Sequence, residues 1–257
     1  MSSVLGALGT PFQPLFRAGS TQRLPFHIDL GPYCMSVEFR EPHEMSDRRR
    51  RLACVNIEDQ RIELRSDLSG LRLVEAFFYA LIRLSHFSKG CQQGCVEEAY
   101  THSFATGMVE FAQRNPKAWL WLNLRLNEHL PEDMQYDRYV CGVAPAPALP
   151  ARVDLDGRDV PVRILSRAQT GNALGWYDYE RREVQLYAGL YGANVAIVAL
   201  HEITHALHHA HGLKTRDHER NFVRAQLKGW FQIMLRDPAA WRWLAWSMSF
   251  PHKASVV

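Results

Sequence analysis

The residues best equipped for chemistry are His201-Glu202-Ile203-Thr204-His205. Two histidines four apart on a helix share one face, their Cβ atoms about 5–6 Å from each other, which lets both imidazoles bind one tetrahedral zinc. Glu202 follows the first histidine and can take a proton from water activated beside that metal. The pattern is that of metal-assisted hydrolysis. Such a site needs a third protein ligand and an open fourth position. His218 and Glu219 both stand downstream. Neighbours on a helix point about 100° apart, so one of the two is expected to coordinate.

The elements that must position these residues follow from the pattern around them. Val195, Ile197, Val198 and Leu200 make the stretch before the motif apolar, which fits a buried helix over 192–211. A second helical pattern covers 217–236 and stops before Asp237-Pro238, because the residue before a proline is pushed out of the helical region. A short Trp-rich helix follows. Ahead of these helices, 160–165 and 175–187 alternate apolar and polar positions as half-buried strands do.

The same order occurs earlier in the chain: strands over 34–40 and 54–65, helices over 70–88 and 96–114, then another Trp-rich segment. Sliding the chain against itself by 122 positions aligns Ile62–Leu122 with Val184–Leu244 without a gap. Thirteen of 61 positions are then identical, among them Pro116/Pro238, Trp119/Trp241 and Trp121/Trp243; this composition would give about 4 by chance. Upstream, Ile28-Asp29-Leu30 falls on Val153-Asp154-Leu155 at an offset of 125. Two copies of one module are therefore expected, 24–128 and 151–250, joined by a Pro/Ala-rich linker over 129–150. At the chemical positions the copies differ. Tyr79, Ala80 and Arg83 stand where the second copy has His201, Glu202 and His205. The first copy is thus expected to be a degenerate partner that binds no metal. Val96 stands opposite His218, whereas Glu97 matches Glu219, a comparison that favours His218 as third ligand.

The 257 residues carry a net charge of +3 with 47% hydrophobic residues, the balance of an ordinary globular chain. That charge demands neither nucleic acid nor a membrane as partner. No apolar run is long enough to span a bilayer, no secretory signal is visible, and five cysteines suit reduced thiols, so a cytoplasmic setting is expected.

With these residues in view, the second half resembles HExxH zinc metallopeptidases of the gluzincin type, above all the ImmA/IrrE-like peptidases of phages and mobile elements. The resemblance covers about 90 residues. It rests on the strand pair over 178–186, Leu200-His201-Glu202-Ile203-Thr204-His205, Gly212, Glu219-Arg220-Asn221-Phe222, Gly229 and Arg236-Asp237-Pro238. It implies an α+β, zincin-like fold, a zinc cofactor, and hydrolysis of a protein or peptide substrate with Glu202 as general base. It also implies Glu219 as third ligand, and this is the preferred assignment. SprT-like proteases are the rival resemblance. There the third ligand is a histidine with an aromatic residue four positions on, as in His218 and Phe222. A different class of function remains beside the enzyme: a zinc-stabilised binding, regulatory or assembly protein without catalysis.

Weaker signals accompany the motif. Arg48, Arg49, Arg50 and Arg51 could touch phosphates, though such runs are usually solvated loops. Cys91 and Cys95 are a single pair, short of a zinc framework. The paired Trp residues read as core or inter-copy packing. Tyr187 and Tyr191, just ahead of the motif helix, fit either an oxyanion-steadying role or a core or strand role.

Overall fold

A computed structural model describes residues 24–30, 32–45, 52–91, 94–127, 148–213 and 216–249. The Arg48–Arg51 run lies outside these residues, as does most of the expected linker, 129–147. The described chain is mixed α+β, with two four-stranded sheets and seven helices in two modules.

In the first half, β1 (His27–Leu30), β2 (Tyr33–Arg40), β3 (Ala53–Asn56) and β4 (Arg61–Arg65) precede α1 (Gly70–Ser88), α2 (Cys95–Arg114) and α3 (Pro116–Asn127). In the second, β5 (Arg152–Leu155), β6 (Arg158–Leu165), the single-turn α4 (Arg167–Thr170), β7 (Gly175–Asp178) and β8 (Glu183–Tyr187) precede α5 (Ala193–Ala210), α6 (Arg216–Arg236) and α7 (Pro238–Ser249). The strand orders are β1-β2-β4-β3 and β5-β6-β8-β7, each with one parallel pair at its centre.

Register shows how closely the halves correspond. Ile28 faces Met35 and Val153 faces Val160, both pairs related by 125. Ala53 faces Leu64 and Gly175 faces Leu186, both related by 122. A one-residue slip would turn every side chain to the opposite face, so conserved register means conserved core faces. The matched glycines have a backbone reason. Gly70 and Gly192 both have φ +56°, and Gly90 and Gly212 have φ +67° and +77°, conformations that a side chain disfavours.

The halves pack through their helices with approximate two-fold reciprocity. α2 of the first half lies on α5, and α6 of the second lies on α1. Gly107 sits against Leu207, and Gly229 against Ser85, the equivalent pair with roles exchanged. A Cβ at Gly229 would come within 1.8 Å of the Ser85 Oγ, so that crossing requires glycine. Asn115 exchanges two 2.6 Å hydrogen bonds with the Asp154 backbone, and its counterpart Asp237 accepts one from the Asp29 backbone. On the pseudo-axis the equivalent rings of Tyr100 and Phe222 stack at 4.6 Å, flanked by His208 and His86.

One continuous apolar core spans both halves. Trp119 and Trp241 lie on either side of Trp230, with ring centroids 6.2 and 5.1 Å away, and Trp121 and Trp243 are buried too. The shared tryptophans therefore hold the core together. Among the described residues no helix is long and apolar enough to cross a membrane.

Candidate metal and catalytic site

α5 carries the motif with its apolar face on the sheet and on α2 and α3. His201, Glu202 and His205 emerge at the edge strand β7, where a cleft of about 350 Å³ opens. Gly175, Trp176, Tyr177 and Tyr179 form one wall, Glu219 and Arg220 of α6 the other. Its volume is at the small end of the range for ligand pockets, about 300–1,000 Å³.

The His201 and His205 Nε2 atoms lie 3.2 Å apart. Two nitrogens bound to one tetrahedral zinc at about 2.0–2.1 Å would lie about 3.3 Å apart, so this spacing suits a shared ion. Burial, helped by the neighbouring His205 and Arg224, lowers the His201 pKa to about 4, which keeps its imidazole neutral. The Glu219 Oε1 is 2.9 Å from His205 Nδ1. An anionic acceptor there selects the tautomer with the proton on Nδ1 and leaves the Nε2 lone pair facing His201.

Glu219 is 2% exposed, and its second oxygen accepts a 2.8 Å hydrogen bond from the Tyr179 hydroxyl. Burial acts to raise its pKa, but His205, His208 and Tyr179 outweigh it and hold the carboxyl at about 2. His208 Nδ1 is 3.8 Å from this carboxylate, an electrostatic neighbour beyond hydrogen-bond reach. His218, next in sequence, is exposed. Glu219 thus sits on the far nitrogen of His205, and among the described residues no three His, Cys, Asp or Glu side chains converge as a finished metal site. The donors nevertheless suit zinc chemically: two imidazoles with facing nitrogens and a buried carboxylate beside them.

Glu202 is 5% exposed. Burial raises its pKa to about 7, against the opposing pull of His205 and the Tyr177 backbone N–H. A carboxyl so tuned can take up and release a proton near neutrality. Gly175 makes room for it. A Cβ there would lie 2.6 Å from Val198 Cγ1 and 3.2 Å from Glu202 Cγ. In the first half the equivalent residues are Ala53, Ala76 and Ala80: the carboxylate is gone, the neighbouring side chain is smaller, and the glycine has gained its methyl.

The first half also shows what replaced the histidines. Arg83 Nε lies 3.3 Å from Glu97 Oε1, and Tyr79 stands beside it. The Arg83 guanidinium holds the buried Glu97 as His205 holds Glu219, with a positive charge built into the chain.

Two residues of the cleft were not legible as functional. Tyr179 is in contact with His205 and Glu219, whereas Tyr187 packs under Arg167 and Tyr191 is 80% exposed, neither lining the cleft. The signal for Tyr179 was the same contrast between copies, since Ile57 stands opposite it. Gly175 had the parallel signal in Ala53. Cys91 is half-buried, 3.9 Å from the Asn221 carbonyl, and Cys95 is exposed. No family model, curated protein or solved structure matches the chain.

Proposed function

We propose that the cleft is the active site of a zinc-dependent hydrolase acting on peptide bonds, with a zincin-like second module and a degenerate first one. The observation that carries this reading is the pair of imidazoles with facing nitrogens and Glu202 in the same cleft. His201 and His205 would hold the zinc, with Glu219, once its carboxylate turns from the far nitrogen of His205 toward the ion, rather than the exposed His218 as third ligand. A zinc ion there would supply Lewis acidity toward the scissile carbonyl and toward water.

The chain's own residues do the rest. Glu202 takes the proton from the attacking water at its carboxylate and delivers it to the departing amine. Tyr179 lines the same cleft, and its hydroxyl, which donates to Glu219 in the absence of substrate, would turn its proton to the carbonyl oxygen as negative charge develops there. Gly175 keeps β7 close to the scissile bond without displacing Glu202.

The test is hydrolysis of a peptide library by the zinc-loaded protein, abolished by a chelator and restored by zinc. Glu219→Ala should lose the metal and His218→Ala should keep it. Glu219→Gln separates coordination from orientation. It preserves an oxygen that can accept the Nδ1 proton but offers zinc only a neutral amide, so it too should bind the metal weakly. The reverse pattern, zinc lost with His218→Ala and kept with Glu219→Ala, would make the histidine the ligand. For Gly175→Ala the expected result is a kcat lowered about a hundredfold with zinc content unchanged, because displacement of a reacting group by about 1 Å costs that much.

A further inference from the structure

We infer that Arg220 is a specificity-determining residue: it binds a substrate carboxylate beside the scissile bond, so the enzyme prefers acidic or carboxy-terminal peptide sites. This inference rests on the hydrolase reading of the same cleft. Arg220 lines the cleft next to Glu219 but forms no ion pair among the described residues. The two carboxylates that line the cleft with Arg220 are held by other described residues. Glu219 is taken up by His205 and Tyr179, and Glu202 is buried beside Gly175. At the β7–β8 turn, Arg181 lies 3.9 Å from Asp178 and 4.0 Å from Glu183, which engages those carboxylates as well. The Arg220 guanidinium is therefore left for something that enters from solvent.

A second cation stands one turn along α6. Arg224 is exposed, has no ion pair among the described residues, and lies close enough to His201 for its charge to act on that imidazole. The first module lacks both: Glu98 and His102 occupy the equivalent positions. The basic wall thus belongs only to the module with the histidine pair. A guanidinium fork matches a carboxylate in geometry and charge, and in a partly enclosed cleft such a pair is worth more than at an open surface. Opposite it, Trp176 and Tyr179 supply an aromatic wall for the rest of the peptide.

The experiment uses the zinc-loaded full chain and fluorescently labelled peptides in matched pairs: internal Glu against Gln, and a free carboxy-terminus against its amide. Anisotropy reports binding and product analysis reports kcat/KM. The expected result is a preference of about ten- to hundredfold for the carboxylate member of one pair, lost in Arg220→Gln while the neutral peptides are cleaved as before. The pair that shows the preference tells a side-chain carboxylate from a terminal one. Arg220→Glu should reverse the preference toward Lys-containing peptides. Hydrolysis with no carboxylate preference, or with one unchanged in Arg220→Gln, would overturn this inference and leave the hydrolase standing. Arg220-dependent binding of carboxylate peptides with no hydrolysis would support the carboxylate site and overturn the hydrolase.

Discussion

Glu202→Gln should abolish peptide hydrolysis in a protein that still holds its zinc, with kcat lowered about 10²–10⁴-fold, the usual contribution of a positioned general base. The substitution is nearly isosteric, so Val198 and Gly175 keep their contacts and the fold is undisturbed. Only the ability to accept a proton is removed. His201 and His205 keep their facing nitrogens, because their arrangement depends on burial and on Glu219 rather than on Glu202. Steady-state kinetics and zinc content measured on one preparation make the check. Full activity in Glu202→Gln would show that the carboxylate is not the base. If the protein instead acts by binding a partner, the variant should behave as the wild type does in every assay.

The second large effect is a gain. Tyr79→His combined with Arg83→His should give the chain a second zinc ion. The first module already holds Glu97 in the position of Glu219, 3% exposed, on the same helix pair and in the same strand register. What differs is the origin of the positive charge. Arg83 supplies it from the chain, and two histidines would supply a socket for it instead. Removing the guanidinium takes away the cation 3.3 Å from Glu97, and loss of a positive charge beside a buried carboxylate is costly, which favours metal uptake. Zinc per chain should rise by about one equivalent with no new activity, since Ala80 stands where Glu202 would be needed. A folded double variant that stays at the wild-type metal content would show that the site requires more than these three positions.

Much of the scaffold was readable because it is local. The helix expected over 70–88 is α1 (Gly70–Ser88), and the other long helices differ from expectation by a residue or so at their ends. Apolar spacing and the stops at Asn115-Pro116 and Asp237-Pro238 fix these limits within a few residues of themselves. Other features were not local. The segment expected as strand over 54–65 is two strands around a tight turn with Gln60 at φ +49°, whereas the strand, turn and strand expected over 175–187 are β7 and β8, with Arg182 at φ +53°. Neither position is a glycine that would announce it. The parallel pairings of β2 with β4 and β6 with β8 join segments across an intervening strand, which alternation alone does not specify.

At the site, the motif named three residues, and the structure places all three at one cleft. The tyrosines nearest the motif helix in sequence do not line the cleft. β8 carries Tyr187 away from the cleft, whereas the turn before it brings Tyr179 back to His205 and Glu219. The placement of Glu219 on Nδ1 of His205 could not be read from helical phase, because phase gives the face of α6 and not which ring nitrogen that face meets.

Metal analysis of the purified chain, with His201→Ala and His205→Ala alongside, tests the central claim most directly. The account predicts one zinc per wild-type chain, lost in each variant while the shared core of the two modules keeps both folded. A wild-type protein that takes up no zinc, or one whose zinc survives both substitutions, would contradict it.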